Sequence, residues 1–310
     1  MSATPANAAP RGLMERLRTM DRRWLFLFMG LAIVLPIFFP IGLPALPGDA
    51  TVDTYDAVAN IKDGSRVFMS IDFDPASRPE LEPFAKSVLV QLKRKRCKIV
   101  IVSLWEYAPP LINGYVRSIL QAPLNPGGPP DDPLNKIYER KTDFIFLGFK
   151  SGKQAVINTL GQSLPTAYPT TQEGEPVGTI PIMEGIRSVQ DFKDSGILIL
   201  ISAGFPGAKE YVELLSRYEL PIVVSTTAVS RTDLQPFYSS GQLKGLVAGM
   251  QGAAEYEQLV NPPGEQLGKK GLDVLNIGTL VIILAIVLGN LIYLAERRQQ
   301  KRAASGGGAS

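Results

Sequence analysis

Two aspartates, Asp72 and Asp74, follow an apolar run and are the side chains in this sequence with the clearest potential for chemistry. Two carboxylates so close together can bind a divalent cation, or one of them can attack a phosphoryl group. Phosphatase chemistry of that kind also needs a hydroxyl after a later strand, for which Ser103 is the candidate, a lysine and a second acidic cluster. The second acidic cluster is missing from the sequence. The alternative is structural: Asp74 caps a helix, and Asp72 is solvated or accepts hydrogen bonds from the backbone.

The turn from Ser202 to Lys209 is a second candidate, because it directly follows the most apolar stretch of the chain. Gly204 and Gly207 lack a Cβ and allow a ligand to approach the backbone closely. Lys209 falls in the first turn of a predicted helix, where the helix dipole disfavours a cation. A cation there can help to hold an anionic ligand. Alternatively, Lys209 pairs with Glu213 four residues later and belongs to the surface.

Small and hydroxylated residues end two further predicted strands, at 225–227 and 249–252. They indicate a lining suited to hydrogen bonds rather than to acid–base catalysis, although the same residue types also cap helices. The segment 148–154 has too few residues between its glycines for a phosphate-binding loop, so no nucleotide triphosphate site is predicted. The candidate ligand-binding residues are Asp72, Asp74, Ser103, Ser202, Gly204, Gly207, Lys209, Ser225 and Thr226.

The 310-residue chain contains no histidine, which removes the commonest general base near neutral pH and the commonest metal ligand. Histidine-dependent serine, cysteine and zinc hydrolase sites are therefore excluded. Cys97 is the only cysteine, so no intrachain disulfide forms. The net charge of +3 does not suggest nucleic-acid binding. The one internal basic run, Lys93–Lys98, indicates a solvated helix end or, alternatively, contact with anionic lipid headgroups.

The middle of the chain alternates apolar strands with amphipathic helices, which predicts a mostly parallel sheet covered on both faces. The strands are predicted at Arg66–Phe73, Lys98–Trp105, Asp143–Phe149, Ile197–Ser202, Pro221–Thr227 and Leu243–Ala248. The helices are predicted at Arg78–Lys95, Pro109–Gln121, Gln154–Leu160, Ala208–Tyr218, Thr232–Tyr238 and Gly252–Val260. Gly48–Asp56 is predicted to be an acidic linker.

Six strands in this alternation predict a Rossmann-like, doubly wound α/β domain. A two-lobed binding protein is the alternative, because two long loops, at 122–133 and 162–181, could mark crossings between halves. In an open parallel sheet, ligands bind beyond the carboxyl ends of the strands. The candidate residues above should therefore gather at that edge.

Two long apolar segments bracket the domain predicted at 47–270, and both are long enough to cross a bilayer. We predict transmembrane helices at 23–46 and 271–295. The first carries three prolines, which favour a kink and an early end to the helix. A cleaved signal peptide is the alternative for this first segment.

Basic residues predict the orientation of both segments. The stretch 1–22 and the tail 296–310 are rich in arginine and lysine, so the positive-inside rule places both termini in the cytoplasm and the central domain outside. The Gly/Ser/Ala-rich end, Ala303–Ser310, is predicted to be disordered. Small residues aligned on one helix face predict packing against another membrane helix, namely Gly278, Ala285 and Gly289.

No catalytic motif in the sequence is complete enough to identify a reaction. The leading hypothesis is an accessory or scaffold subunit of the plasma (inner) membrane, whose extracytoplasmic domain binds a partner protein or small ligand. We expect no cofactor and leave open whether the acidic pair binds a metal. The expected partners are the lipid bilayer and other membrane protein subunits, not nucleic acid. The alternatives are a membrane-bound transferase or phosphatase-like enzyme using Asp72 and Asp74, and a transport-associated solute-binding or sensor domain.

Overall fold

The computed structural model describes residues 21–306, except residues 43, 130, 194–195 and 265. The described chain divides into two compact units. One consists of the chain up to Gly42 together with the chain from Asp273 onward, and the other is Leu43–Leu272. The predicted basic segment 1–22 lies outside the described residues except for its last two positions.

The second unit is built on one sheet, which has six strands in the described part of the chain. Every neighbouring pair of strands is parallel, and the order is β3-β2-β1-β4-β5-β6. The predicted parallel α/β sheet is confirmed, and this order is that of a Rossmann-type doubly wound sheet. The single sheet excludes the two-lobed alternative. The strands are β1 Arg66–Asp72, β2 Lys98–Ser103, β3 Phe144–Phe149, β4 Leu198–Ser202, β5 Ile222–Thr226 and β6 Gly245–Ala248.

Helices of the second unit cover both faces of the sheet. The helices are α1 Arg22–Phe38, α2 Asp49–Ala59, α3 Arg78–Arg94, α4 Pro109–Tyr115, α5 Gln154–Gln162, α6 Leu164–Ala167, α7 Ala208–Leu215, α8 Arg231–Ser239, α9 Gly249–Val260 and α10 Leu267–Gly306. Side chains of β1 alternate between two cores: Val67 and Met69 pack with α3 and α9, whereas Phe68 packs with α5 and α7. Such two-sided burial explains why the strands are almost continuously apolar.

The segment predicted to be a linker is instead the helix α2. Its buried residues Thr51, Thr54 and Val58 recur at intervals of three and four, so they share one face. Both threonine hydroxyls are satisfied, because Thr51 donates to Glu255 at 2.8 Å and Thr54 donates to a carbonyl of its own helix at 2.7 Å. The sequence did not predict this helix, because two of its three buried residues are polar and the apolar periodicity of a helix is therefore absent.

The basic run Lys93–Lys98 is mostly used inside the fold, which corrects the expectation of a solvated helix end. Lys93 is fully buried, and its ammonium donates to the carbonyls of Ile119 and Ala122 at 2.7 and 2.6 Å. These carbonyls end the π-helical turn that continues α4 through Leu120. Desolvation lowers the pKa of Lys93 to about 8. Arg94 likewise donates to the carbonyls that end α9, so the run connects helix ends.

The two ends of the second unit lie side by side on α9. The Ala45 amide donates to the Gln258 side chain at 2.9 Å, and the Lys269 amide donates to Glu257 at 3.1 Å. Ala45 and Leu272 also pack in one small apolar cluster with a residue of α9. The chain therefore enters and leaves this domain at adjacent positions.

The first unit contains both apolar segments. In the described chain, Leu267–Ala295 is the one helical stretch long and apolar enough to cross a membrane, whereas the apolar part of α1, Phe26–Phe38, is shorter. Helix α1 contains Pro36 and ends two residues before the next proline. Helix α10 continues to Gly306, so residues 303–306 are helical rather than disordered as predicted, which fits the high helix propensity of alanine. Residues 307–310 lie outside the described chain.

The three small residues predicted for helix packing have different surroundings in α10. A Cβ added at Gly278 would lie 3.9 Å from Ile33 of α1, so this glycine faces the other apolar helix. A Cβ added at Gly289 would meet no described atom within 4 Å. Ala285 is half-buried.

We predict that Gly245→Ala destabilises the domain by about 1–3 kcal/mol, because α2 packs directly against this glycine. A Cβ there would lie 2.2 Å from the Thr54 hydroxyl oxygen and 2.5 Å from the Thr54 Cα. Denaturant unfolding of the detergent-solubilised chain, followed by tryptophan fluorescence, measures the loss. Gly178→Ala is the control, since open space surrounds that position. Equal unfolding midpoints for the two variants would contradict this packing.

Candidate functional site

The point where the sheet reverses its winding lies between β1 and β4. These strands are neighbours in the sheet, but α3 follows β1 on one face and α7 follows β4 on the other. Doubly wound domains bind ligands in the crevice beyond the carboxyl ends of such a strand pair. Asp72 and Ser202, both candidates from the sequence, stand opposite each other there.

The Asp72 carboxylate is held inside the fold. One oxygen accepts from the Leu104 amide at 2.6 Å, and the other accepts from the Ser70 hydroxyl at 2.5 Å. Ser70 in turn lies 3.0 Å from the Tyr211 hydroxyl. Ser103 donates mainly to the Ile71 carbonyl, at 2.7 Å. Asp72 therefore joins the end of β1 to the residue after β2.

Burial raises the pKa of Asp72 to about 7, because removal from water disfavours the charged carboxylate. The hydrogen bonds from Ser70, the Leu104 amide and Ser103 oppose this shift without cancelling it. Burial also raises the pKa of Tyr168 and Tyr211 well above the usual tyrosine value, and nearby Asp72 adds to both shifts. The cluster is thus a set of mostly neutral hydrogen-bonding groups near neutral pH.

Asp74 has a separate role from Asp72. It accepts from the Ser77 amide and from the Ser77 hydroxyl, each at 3.0 Å, and so caps the turn that leads into α3. Within the described residues, no group of three histidine, cysteine, aspartate or glutamate side chains is placed to hold a metal ion. The two carboxylates therefore have separate hydrogen-bond partners. Asp74 caps a helical turn and Asp72 accepts hydrogen bonds inside the fold, which is the structural alternative stated from the sequence.

Loops from four strands are hydrogen-bonded to one another around this crevice. The Trp105 indole donates to the Pro206 carbonyl at 2.7 Å, and the Ala203 amide donates to the Asp72 carbonyl at 3.0 Å. The Ala228 amide donates to Glu80 of α3 at 2.7 Å. These contacts connect the loops after β1, β2, β4 and β5 into one platform.

A cavity of about 260 Å³ lies beside that platform, between the ends of β4 and β5 and the helices α7 and α8. It brings together four of the predicted residues: Ser202, Gly204, Lys209 and Thr226. Asp72, Asp74, Ser103, Gly207 and Ser225 are not in its lining. The sequence reasoning missed Glu210, Ser230 and Asp233, which complete the polar part of the lining, and the apolar Phe205. Glu210 and Asp233 could have been suspected, since each is an acid in the first turn of a helix that follows a strand.

The two glycines of the turn after β4 differ in their surroundings. A Cβ at Gly207 would lie 1.7 Å from the Ser202 hydroxyl oxygen, so this glycine is required by the packing of its own loop. A Cβ at Gly204 would meet nothing within 4 Å. The close backbone approach at Gly207 is therefore to Ser202, whereas the backbone at Gly204 is open towards the cavity. Ser225 faces away from Thr226 along the strand, and its buried hydroxyl has no partner in the described chain.

Exposed apolar side chains line the same edge of the sheet. The described part of Leu43–Leu272 has six exposed large apolar side chains, and four of them stand at or just after the ends of β2, β3, β4 and β5. We call these four the carboxyl-edge rim: Tyr107, Phe149, Phe205 and Val229, with exposures of 61%, 38%, 57% and 84%. An isolated exposed apolar residue is ordinary, but a row on one edge indicates a binding surface.

Positive charge surrounds the rim. The loops that carry it, together with the first turns of α7 and α8, span 104–108, 149–153, 203–210 and 227–233 and contain four basic residues and three acids. The acids are Glu106, Asp233 and the buried Glu210, so the exposed charge is positive on balance. None of the basic residues forms an ion pair within the described chain: Lys150, Lys153, Lys209 and Arg231. The alternative pairing of Lys209 with Glu213 is therefore not formed. The Lys153 ammonium lies 5.4 Å from the centre of the Phe205 ring, so one cation packs on the rim itself.

The chain matches no protein-family model, no curated protein and no solved structure. Its strand order and helix placement define the domain as a Rossmann-type α/β domain. Domains of this class have many unrelated functions, so the fold alone does not identify one. The function must be argued from the carboxyl edge.

We predict that Asp72 makes the domain less stable as the pH rises from about 4 to about 7. Its folded pKa of about 7 exceeds the ordinary value of 3.8, so in this window the folded state holds a proton that the unfolded state has released. Below the window both states are protonated, and above it both are ionised, so the contribution of Asp72 levels off at each end. Unfolding of the detergent-solubilised chain across this pH range measures the slope.

Asp72→Asn should remove this slope and stabilise the domain by a few kcal/mol above pH 7, because the amide imitates the protonated acid. Its oxygen can accept from Leu104 and its nitrogen can donate to Ser70. Asp74→Asn is the control and should retain the slope, since asparagine also caps helices well. A slope that persists in Asp72→Asn would show that Asp72 is not the titrating group.

Proposed function

We propose that this protein is a membrane-anchored accessory subunit whose α/β domain binds a partner protein through the carboxyl-edge rim. The observation that carries this proposal is the row of exposed apolar side chains surrounded by unpaired cations. Apolar centres with a polar periphery are typical of protein–protein interfaces, in which aromatic residues are enriched.

The state of the candidate catalytic groups favours binding over catalysis. Asp72, Asp74 and Ser103 each have hydrogen-bond partners inside the fold. Reactive carboxylates of an enzyme should instead face the space that the substrate occupies. The exposed large side chains of the rim loops are aromatic, aliphatic and cationic apart from Glu106, and these side chains suit recognition.

Charge defines the chemistry of the partner. The loops of the rim carry an excess of positive charge, and Lys153, Lys209 and Arg231 are exposed. A partner with acidic side chains around an apolar patch would complement this surface, gaining both association rate and specificity. We therefore infer an acidic protein surface as the occupant of the rim.

Anchoring through two spans is part of the same proposal. Helix α10 supplies one span, and α1 with the apolar residues that follow it supplies the other. The side-by-side ends of the domain support this topology, because both segments then leave the domain from one place. Basic residues at both ends of the chain support cytoplasmic termini and an extracytoplasmic domain at the plasma (inner) membrane.

Cysteine labelling tests this topology. A membrane-impermeant maleimide should label Ser240→Cys in the domain of sealed cells, but should label Ser2→Cys and Ser310→Cys only after permeabilisation. Cys97 is buried and should not compete for the reagent. Labelling of either terminal cysteine in sealed cells, or loss of the first 40 or so residues from the mature protein, would refute the two-span anchor.

Photo-crosslinking tests the rim. A photo-reactive amino acid at Tyr107 or Val229 should crosslink to one membrane-associated protein in cells, because these side chains lie at the centre of the proposed interface. The same probe at Ile137 is the matched control, since this residue is also 60% exposed but lies outside the rim loops. Equal crosslinking from Ile137 would contradict a specific surface.

The captured protein then allows a quantitative test with purified components. The double variant Lys153→Glu and Lys209→Glu should weaken its binding by about tenfold or more, with a smaller effect at high salt. Lys62→Glu with Lys244→Glu is the control, because it makes the same change in net charge at exposed positions outside the rim loops. Equal losses in the two double variants would show that net charge, rather than the rim, controls binding.

A further inference from the structure

The cavity between β4 and β5 contains two carboxylates, those of Glu210 and Asp233, that partner docking does not use. It is small, at about 260 Å³, and its wall includes three apolar side chains, from Phe205, Ala208 and Leu234. Its charged groups are of both signs, since Lys209, Glu210 and Asp233 all line it. A ligand for this cavity must be small and must complement both signs.

Two of the three hydroxyls of the cavity, those of Ser202 and Thr226, face a ligand as acceptors rather than donors. Ser202 donates its proton to the Gly204 carbonyl at 3.0 Å, and Thr226 donates its proton to the Ser202 carbonyl at 3.0 Å. Each oxygen is therefore left with lone pairs that can only accept. Both residues are almost completely buried, so water has little access to compensate them.

Glu210 adds a buried acceptor to the same wall. It is only 7% exposed, and one of its oxygens accepts from the Gly207 amide at 2.8 Å. No hydrogen bond or ion pair to its other oxygen occurs within the described chain. Asp233, on α8, also lines the cavity and forms no ion pair in the described residues. Together these carboxylates suit a ligand that carries an ammonium group.

Donors are present beside these acceptors. The Lys209 ammonium is exposed and has no ion pair in the described chain. The first-turn amides of α7, at Ala208 and Lys209, lack acceptors within the helix, as first-turn amides do. The cation and these amides suit a carboxylate.

We infer that the cavity binds a small zwitterion, namely a free α-amino acid with a short side chain. Its ammonium group would be held by Glu210 and Asp233, and its carboxylate by Lys209 and the first turn of α7. The apolar side chains of the wall would contact the aliphatic part of the ligand. This site needs no partner protein, although its lining shares Phe205 with the rim and Lys209 with the cations around the rim.

Binding of L-valine and its two half-analogues to the full-length protein in detergent tests the inference. Isobutylamine is valine without its carboxylate, and 3-methylbutanoate is valine without its amine, so size and shape stay nearly constant. In titration calorimetry, L-valine or one of its smaller or isosteric relatives, glycine, L-alanine and L-threonine, should bind. Each half-analogue should bind at least about tenfold more weakly than the tightest-binding of these amino acids.

Variants of the cavity identify the groups responsible. Asp233→Asn and Lys209→Gln should each weaken amino-acid binding by about tenfold, and both positions are exposed, so the fold should persist. Asp131→Asn and Lys244→Gln make the same chemical changes at exposed positions outside the cavity and should leave binding unaltered. Loss of binding in these controls would place the ligand elsewhere.

Three results would overturn the inference. One is failure of all four amino acids to bind at millimolar concentration, and another is binding of isobutylamine or 3-methylbutanoate as tight as that of the tightest-binding amino acid. The third is unchanged amino-acid binding in both Asp233→Asn and Lys209→Gln. None of these results bears on the rim, whose crosslinking and charge-reversal tests use other readouts.

Discussion

Burial of both faces of a parallel sheet is the constraint on which the rest of this domain depends. Helices cover each face, so the strands carry almost no polar side chains except at their ends. A polar group that does enter must find partners inside, because water is absent and an unpaired group is costly. Asp72 meets this requirement through three donors and a raised pKa. Both faces of the sheet are therefore covered, and the carboxyl edge is the place where side chains remain accessible to a ligand or partner.

The side chains at that edge fall into two groups: those that form hydrogen bonds within the fold, and those that do not. Asp72 and Trp105 hold the loops to one another, and Asp74 caps its own turn, which makes the edge a firm platform. The side chains of the rim and the cations around it lie on this platform and do not hold the loops together. Pre-formed loops lose little conformational freedom when they bind, which favours recognition. One edge of the sheet therefore contains both a buried carboxyl cluster that stabilises the loops and an exposed surface of apolar and cationic side chains.

Much of the fold could be read from the sequence, because β-branched runs and helical periodicity report directly on burial. The strand order could not, since neighbouring strands in the sheet are set by contacts between distant residues. Helix α2 was missed because Thr51 and Thr54 disguise its buried face, and Lys93 was misjudged because its charge suggested solvent. Both errors arise where polar groups are buried with partners that only the folded chain supplies.

The site was predictable to a similar and limited degree. Placing ligand contacts at strand ends did gather Ser202, Gly204, Lys209 and Thr226 around one cavity. Residue type alone could not reveal that Asp72 points into the fold. The rim was also hidden, since each of its residues is ordinary in isolation and only the parallel arrangement of strands brings them to one edge.

The adjacent entry and exit of the domain on α9 give the chain the architecture of an insertion. A module whose two ends meet can be excised or exchanged as a unit, because a short connection suffices to rejoin the flanking helices.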